Sequence, residues 1–269
     1  MKTFPRLGWV LFLALVLLAI FPEKIAPYDP KDYVGRPLSA PSAAFLLGTN
    51  DIGQDLLSEL IWGTRASLST GLIVAALAVT LGSLVGIYSG VYSGWTESLL
   101  MRLVDITLVL PYLPLVILVG AYLGPGQRNV VLVLTLVSWA GPARLIRSGV
   151  LALRGRPYIE AARALGSSSG RIIFRHLLPG VRNLILTQVV LVASLSILAE
   201  ASLSFLGLGD PSAKSWGTML YFARASGAFL GKSWQWWVLP AGGMIALTVI
   251  SLALISYGLE IRPSGNKSR

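Results

Sequence analysis

Six long runs of apolar residues, almost free of charged side chains, dominate the pattern of this chain. The hydrocarbon layer of a bilayer is about 30 Å thick, and about 20 apolar residues in a helix cross it. Helices are the only open-ended structure that satisfies every backbone hydrogen bond in lipid. The pattern therefore predicts an all-α polytopic membrane protein with six transmembrane helices, at residues 7–22, 68–92, 100–123, 129–150, 183–206 and 236–259.

Composition supports a membrane protein and excludes several classes of site. Of the 269 residues, 54% are apolar and 13% are charged, and the mean hydropathy is +0.71. The chain has no cysteine and one histidine, His176, which excludes disulfide frameworks, thiolate metal sites and zinc motifs with paired histidines. The net charge of +10 does not indicate a nucleic-acid partner, because the cations lie beside the apolar runs and form no separate basic domain.

The distribution of lysine and arginine predicts the orientation, because these residues collect in short cytoplasmic loops. Residues 144–182 hold eight arginines and a single acid, Glu160, so this segment is predicted to be cytoplasmic. Residues 23–66, with six acids and four bases, and residues 207–235 then lie outside. With six spans both termini are cytoplasmic, in agreement with basic residues near both ends, namely Lys2, Arg6, Arg262, Lys267 and Arg269.

Three parts follow along the chain. Residues 1–66 are predicted to form an N-terminal anchor helix and an extracytoplasmic loop. Residues 67–262 form a core of five transmembrane helices with a cytoplasmic loop at 151–182, and residues 263–269 form a cytoplasmic tail. A basic start before a short apolar run could instead mark a cleaved signal peptide. The bulky residues at 20–23, where a small-residue cleavage site would lie, favour an uncleaved anchor.

The loop at 151–182 predicts a helix, a sharp turn and a second helix. Pro157 suits the first turn of a helix, where its missing N–H is not needed. Gly166 can take the left-handed conformation that ends that helix. One of the serines at 167–169 can cap a second helix, which Pro179 would stop.

The first of these two helices presents small and charged side chains. Ala161 and Ala162 let a partner approach the backbone closely, while Glu160 and Arg163 are spaced to pair with each other. Each helix is only about 13 Å long and too short to be stable alone in water. The helices therefore either dock on another protein or form a loop that packs against its own helix ends.

The sequence from Glu160 to Pro179 resembles the EAA loop of permease subunits in binding-protein-dependent ABC importers. The resemblance rests on Glu160-Ala161-Ala162, Gly166 and His176-Leu177-Leu178-Pro179. Residues 25–30, 47–55, 65–68 and 101–105 are similar to the shorter permease of dipeptide, oligopeptide and nickel importers. In the second of these segments, Asn50 and Gln54 stand where that group commonly has an Asp and an Arg.

The resemblance implies a permease core at 67–262 that works with a second permease subunit, two cytoplasmic ATPase subunits and an extracytoplasmic substrate-binding protein. The EAA loop would be the coupling helix, with Ala161, Ala162 and Gly166 seated in a groove of an ATPase subunit, Glu160 meeting a basic residue there, and Pro179 closing the motif. The cargo would be di- or oligopeptides, a nickel or other metal complex, or a related small solute. ATP would be bound by the partner subunits, so no cofactor is expected in this chain.

Glu200 is the carboxylate predicted inside the fifth span, where a charge costs about 2.5–3.5 kcal/mol on insertion scales. Ser196, Glu200 and Ser204 recur at four-residue spacing and so share an arc of about 80° on the helix. This stripe could line a translocation path and meet a substrate's amine or a metal cation. Alternatively, Glu200 forms an interhelical hydrogen bond or is neutralised by protonation.

Other residues within the spans predict packing. Arg102 and Asp105, three residues apart in the third span, are spaced to pair with each other. Prolines interrupt several spans, which predicts kinks. Glycines in the spans predict close contacts between helices. Both residue types could provide hinges. The residues concerned are Pro111, Pro114, Pro142, Pro240, Gly82, Gly86, Gly90, Gly242 and Gly243.

Three classes of function are open to such a chain: a non-catalytic ABC permease subunit, a stand-alone secondary transporter or channel, and a membrane scaffold. Few intramembrane charges and no evident inverted repeat disfavour the second class. A pre-shaped cytoplasmic loop disfavours the third. Residues 208–215 approach a phosphate-binding loop, but Leu208 and Ala213 stand where glycines are needed. We therefore expect no ATP hydrolysis by this chain.

Overall fold

A computed structural model describes residues 3–260, which are helical with connecting loops and contain no β-strand. The predicted all-α fold class is confirmed, while Lys2 and the basic tail predicted at 263–269 lie outside the described residues. A π-helical turn covers Ile173–Leu177 and a 3-10 turn covers Ser233–Gln235. The α-helices are α1 (Thr3–Ile20), α2 (Pro22–Ile25), α3 (Leu56–Val91), α4 (Trp95–Val109), α5 (Tyr112–Leu123), α6 (Gln127–Ser138), α7 (Ala140–Arg154), α8 (Pro157–Ala164), α9 (Ser169–Ile172), α10 (Leu178–Phe205), α11 (Trp216–Ala225) and α12 (Val238–Glu260).

The second predicted span lies inside a longer helix, α3. The helix begins at Leu56 because Asp55 caps it: the Asp55 side chain accepts a hydrogen bond from the Ser58 N–H at 2.8 Å. Its 36 residues extend about 54 Å at 1.5 Å per residue, well beyond the hydrocarbon layer. The helix also continues without a break past residue 66, where the N-terminal part was predicted to end.

The third predicted span, residues 100–123, is not one straight helix. α4 and α5 meet at an angle of 94°. Pro111 lacks an N–H and disfavours helical backbone at Leu110, whose ψ is 136°. The two helices are therefore either one broken span or a re-entrant loop.

Two ion pairs hold α4 against α7. Asp105 pairs with Arg144, and Glu97 pairs with Arg147. The predicted pair between Arg102 and Asp105 is wrong, because α7 passes close to α4 and brings the Arg144 guanidinium to the Asp105 carboxylate.

Four helical stretches of the described chain are long and apolar enough to cross a membrane. They are Leu56–Val91, Gln127–Arg154, Ser169–Phe205 and Ser233–Leu259. The bent pair α4 and α5 would make a fifth span, and α1 is a shorter apolar helix. By length and composition the described residues thus contain four or five spans, and the six that the sequence predicted are not confirmed.

The central helix is α3, which packs against α1, α6, α7 and α10. Its closest seam with α7 follows Gly82, Gly86 and Gly90, one helical turn apart. A side chain at these positions would meet α7 at Trp139, Pro142 and Ala143, then Ile146 and Arg147, and finally Val150. The predicted close packing is confirmed along this seam, where small residues let two backbones approach. At Gly242 and Gly243 a side chain would meet nothing within 4 Å.

The short helix α11 is wedged against α3, α10 and α12. Its first residue, Trp216, is 0% exposed, and the indole N–H donates to the Leu60 carbonyl at 3.2 Å. Gly217 lies against Ala201 and Ser204 of α10, where a side chain would clash. No long apolar run marks this segment, yet α11 is part of the core.

Candidate functional site

The predicted helix, turn and helix at 157–179, here called the elbow, is present. Pro157 lies in the first turn of α8. Gly166 ends the helix with φ +80°, while the Ser167 N–H donates to the Ala162 carbonyl at 3.0 Å. Ser168 then caps α9, accepting a hydrogen bond from the Arg171 N–H. The sharp turn is therefore built as predicted, by one glycine and one serine.

The second half of the elbow differs from the prediction, because Pro179 does not stop a helix. α9 continues through the π-helical turn into α10, and Pro179 lies in the first turn of α10. The Leu178 N–H donates to the Ile173 carbonyl, five residues back. This wider turn accommodates the missing N–H of proline, so the chain continues as one helical stretch from Ser169 to Phe205.

One face of the elbow packs against the bundle and the other faces outward. Ile159, Ile172 and Leu177 are buried together with Ile146 and Val150 of α7. On the other face, Glu160, Ala161, Gly166 and Pro179 are exposed, and Ala162 is half-buried. The elbow thus packs against its own helix ends and leaves most of the predicted coupling residues exposed.

Two details of the elbow were not predicted correctly from the sequence. Glu160 and Arg163 form no ion pair within the part of the chain that the structure describes. Leu165 and Phe174 are 87% and 73% exposed, and neither was singled out. Leu165 directly precedes Gly166, and an apolar residue at a turn is the signal that could have identified it. Phe174 has no such local signal.

Glu200 lies in a second cluster, at the opposite end of α10. It is 5% exposed. One carboxylate oxygen accepts hydrogen bonds from Ser204 at 2.8 Å and Ser215 at 2.9 Å, and the other accepts one from Ser67 at 3.2 Å. The interhelical hydrogen bond considered for Glu200 is therefore present, and it joins α3, α10 and the start of α11.

Backbone donors orient the serines of this cluster. The Ser67 hydroxyl oxygen accepts the Trp216 N–H, and the Ser215 hydroxyl oxygen accepts the Thr218 N–H, both at 3.2 Å. Ser215 and Thr218 form a reciprocal capping box at the start of α11. Because the oxygens of Ser67 and Ser215 receive these N–H groups, their hydroxyl protons are directed at the carboxylate.

Ser196, the third member of the predicted stripe, does not join the cluster. It is 0% exposed, and its hydroxyl has no hydrogen-bond partner among residues 3–260. The structure thus brings together Glu200 and Ser204 and leaves Ser196 in the packed interior.

A third polar group, near the start of α3, was not predicted. The Lys214 ammonium contacts Glu59 and donates to Gln54 at 2.7 Å. The Asn50 amide donates to both Gln54 and Glu59 at 3.0 Å. Lys214, the lysine of the segment that approached a phosphate loop, is thus engaged in an ion pair that ties three parts of the chain together.

A small cavity adjoins Glu200, and a larger cleft adjoins that cavity. The cavity has a volume of about 10 Å³ and touches Glu200, Ser204 and Thr70. The cleft, of about 380 Å³, has Trp62 in its wall. Both are lined by Gln127, together with Ala66 and Ala213, so they adjoin each other.

Comparison with known protein families gives a match over most of these elements. The family described as "Binding-protein-dependent transport system inner membrane component" matches residues 79–260, a range that contains the elbow and Glu200.

Several curated relatives are similar over most of their length. The di/tripeptide transport system permease protein DppC of Pseudomonas aeruginosa is 38% identical over 264 residues, covering 94% of this chain and 86% of the relative. The glutathione transport system permease protein GsiD of Pectobacterium atrosepticum is 37% identical over 216 residues, covering 79% and 72%. The dipeptide transport system permease protein DppC of Haemophilus influenzae is 34% identical over 262 residues, covering 94% and 88%.

A solved structure shares the fold. It is described as inward-facing conformations of the MetNI methionine ABC transporter, and the likeness has a TM-score of 0.59 at 17% sequence identity. The likeness covers 74% of this chain and 95% of that chain.

Proposed function

The chain belongs to the family of binding-protein-dependent transport system inner membrane components, as a permease of the dipeptide and oligopeptide group of ABC importers, and we propose that it forms half of a path for peptides. It is a multi-pass protein of the inner membrane. Support for the cargo comes from three relatives named for transport of di- and tripeptides, glutathione and dipeptides, which are all short peptides. A nickel or other metal complex is the alternative cargo.

We propose a six-span topology with α1 as the first span and α4 with α5 as one broken span. The elbow then faces the cytoplasm, and the loops around residues 26–55 and 206–237 face outward. Support comes from the eight arginines of residues 144–182 against one acid. The amino terminus is cytoplasmic in this arrangement, and so is the carboxyl terminus, which lies beyond the described residues.

The elbow is proposed to couple this chain to ATPase subunits. Its partners are a second permease subunit, two cytoplasmic ATPase subunits and an extracytoplasmic binding protein. ATP is bound and hydrolysed in the ATPase subunits, so this chain carries no cofactor. Ala161, Ala162 and Gly166 offer a small-residue surface for a groove, and the elbow also exposes Leu165 and Phe174 as apolar anchors. Buried aromatic and aliphatic anchors dominate many interfaces.

The observation that carries the coupling proposal is the continuity of the helix beyond the turn. Residues Ser169 to Phe205 form one helical stretch that begins in the elbow and contains Glu200 near its far end. A displacement of the elbow by an ATPase subunit would therefore move the Glu200 cluster and α11 with it. The π-helical turn at Ile173–Leu177 is a place where such a stretch can bend.

Substitutions in the elbow test this proposal in the complete importer, reconstituted into liposomes with ATPase subunits and binding protein. We expect Glu160→Lys and Gly166→Leu each to abolish ATP-driven peptide uptake while the subunit remains in the membrane. Glu160→Lys reverses the charge offered to the partner, and Gly166→Leu places a branched side chain at φ +80°.

Gly155→Leu is the matched control for Gly166→Leu. Gly155 also lies near the elbow with nothing within 4 Å of an added side chain, but its φ is −86°. Uptake should therefore persist in Gly155→Leu. Normal uptake in both Glu160→Lys and Gly166→Leu would show that the elbow does not couple, and uptake without any ATPase subunit would favour a secondary transporter.

A further inference from the structure

The cavity beside Glu200 is lined by oxygen acceptors. Glu200 supplies carboxylate oxygens, and Asp210 and Gln127 also line the cavity. The Ser212 hydroxyl and backbone N–H hold the pKa of Asp210 below its usual range, so its carboxylate is charged at neutral pH. No lysine or arginine lines this cavity among the described residues.

The hydroxyl donors of Ser204, Ser215 and Thr70 around the cavity are already used. The hydroxyls of Ser204 and Ser215 donate to Glu200. The Thr70 hydroxyl donates to the Ala66 carbonyl, and the Gln127 amide donates to Thr70, both at 3.0 Å. A ligand group that enters the cavity therefore meets no free hydroxyl donor, and one that brings its own donors suits the carboxylate oxygens of Glu200 and Asp210. A compact cation with several N–H donors fits that requirement.

The size of the cavity limits this group to one small centre. A volume of about 10 Å³ is close to the space that one water molecule needs. An ammonium group has a similar size and carries three donors. Among residues 3–260 no set of three or more His, Cys, Asp or Glu side chains could hold a metal ion.

The adjoining cleft accommodates the remainder of such a ligand. At about 380 Å³ it is wide enough for a short peptide, and Trp62 gives it an apolar wall. Lys31 and Arg65 lie at the cleft and carry positive charge. Asp29 also lines the cleft, and Arg65 is paired with Glu23. A zwitterionic peptide would find carboxylate acceptors in the cavity and the Lys31 ammonium in the cleft.

We propose that the Glu200 cavity binds the amino-terminal ammonium group of a peptide while the peptide lies in the adjoining cleft. This inference rests on the proposed function and assigns its substrate contact to Glu200, Gln127 and Asp210. The permease itself then prefers peptides with a free amino terminus, in addition to any selection by the binding protein.

The test compares alanyl-alanine with propionyl-alanine, the same molecule with a hydrogen atom in place of the ammonium group. Uptake of both is measured with the complete importer in proteoliposomes. The readout is the kcat/KM for alanyl-alanine divided by the kcat/KM for propionyl-alanine. The same binding protein is present throughout, so its preference cancels between variants. We expect Glu200→Gln to lower the ratio at least about tenfold, because the ammonium group loses a buried charge partner.

Two further variants separate binding from folding. Gln127→Met removes an acceptor from the cavity without changing Glu200, and we expect it to lower the ratio by roughly threefold, a smaller loss because Gln127 is neutral. Ser196→Ala is the matched control, because Ser196 lies one turn from Glu200 on α10 and does not line the cavity. Its ratio should equal that of the wild type.

Other outcomes would overturn the assignment. An unchanged ratio in both Glu200→Gln and Gln127→Met, with ATP-driven uptake of alanyl-alanine intact, would refute the ammonium site and leave the peptide permease standing. No ATP-driven uptake of either compound by the wild type would instead refute the proposed peptide cargo. Uptake that requires Na⁺ in the wild type and loses this requirement in Glu200→Gln would place a metal ion in the cavity.

Discussion

At the scale of single residues, the ion pair between Lys214 and Glu59 is the most buried ion pair among residues 3–260. The Lys214 and Glu59 side chains are 18% and 4% exposed, whereas those of Arg65 and Glu23 are 49% and 53% exposed. Exposed pairs contribute little, but removing one partner of a buried pair leaves an uncompensated charge. The two pairs lie near the same end of α3 and can be compared directly.

We predict that Lys214→Met destabilises the purified importer by about 3–5 kcal/mol, because Glu59 is left buried without its cation. Arg65→Met should change stability by no more than about 1 kcal/mol. Thermal unfolding of the subunit, followed in the detergent-solubilised complex, measures both. Equal melting temperatures for the two variants would contradict the buried ion pair.

Asp210 gives a prediction about pH. Its folded-state pKa is lowered by the Ser212 hydroxyl and N–H, so the associated stability is present above the unfolded pKa, about 3.9, and is lost as the pH falls through the folded value. Ser212→Ala should therefore lower the melting temperature at pH 7, and this difference from wild type should shrink toward pH 3.

Asp210→Asn is the control for the pH series, since it removes the titrating group. In that background, Ser212→Ala should cause a difference that does not vary with pH. A wild-type-to-Ser212→Ala difference that stays constant from pH 7 to pH 3 would show that the Ser212 contact does not stabilise the Asp210 carboxylate.

The residue scale also shows what the sequence could provide. The position of Glu200 within a long apolar run predicted that its side chain needs a polar partner. Hydrogen bonding between helices was one of the alternatives. The identity of the partners was out of reach, because Ser67 lies 133 residues away and Ser215 lies 15 residues away across a loop. The error at Asp105 has the same origin, since Arg144 is 39 residues away.

At the scale of helices, local sequence signals predicted where helices and turns occur more accurately than where each helix begins and ends. Pro157, Gly166 and Ser168 act through backbone conformation within one turn, so the turn of the elbow was predictable. The start of α3 was missed because charged residues near Asp55 ended the apolar run, although they cap and anchor the helix. Pro179 was misread because a π-helical turn, which depends on packing, absorbs its missing N–H.

The glycine seam between α3 and α7 gives a prediction at this scale. Gly86→Leu would drive a side chain into the α7 backbone, where even a Cβ atom would be too close to the Ala143 carbonyl. We expect a loss of about 1–3 kcal/mol or more in stability, because the helices must separate. Gly141→Ala is the control, since nothing lies within 4 Å of a Cβ there and alanine suits a helix better by about 0.5–1 kcal/mol.

Unfolding of the two glycine variants in the solubilised complex distinguishes packing from helix propensity. Gly86→Leu should melt well below the wild type, and Gly141→Ala at or above it. If Gly86→Leu were as stable as the wild type, α3 and α7 could not be in backbone contact.

At the scale of the whole molecule, one continuous helical stretch joins the elbow to the Glu200 cluster. The elbow is anchored by buried isoleucine and leucine side chains and presents small, exposed residues on its free face. The opposite end holds the polar cluster, the cavity and the cleft. This arrangement separates the surface that would receive motion from the site that would contact substrate, as an ABC importer requires.

The central claim is that the elbow faces the cytoplasm and is covered there by an ATPase subunit. Because the chain has no cysteine, a cysteine introduced as Ser167→Cys is the only thiol of this subunit, and its labelling is read from the band of this subunit on a denaturing gel. The measurement is reaction of this cysteine with a membrane-impermeant maleimide in inside-out vesicles, with and without ATPase subunits. The account predicts rapid labelling in stripped vesicles and protection when the ATPase subunits bind. Labelling only in right-side-out vesicles, or labelling that the ATPase subunits do not slow, would contradict it.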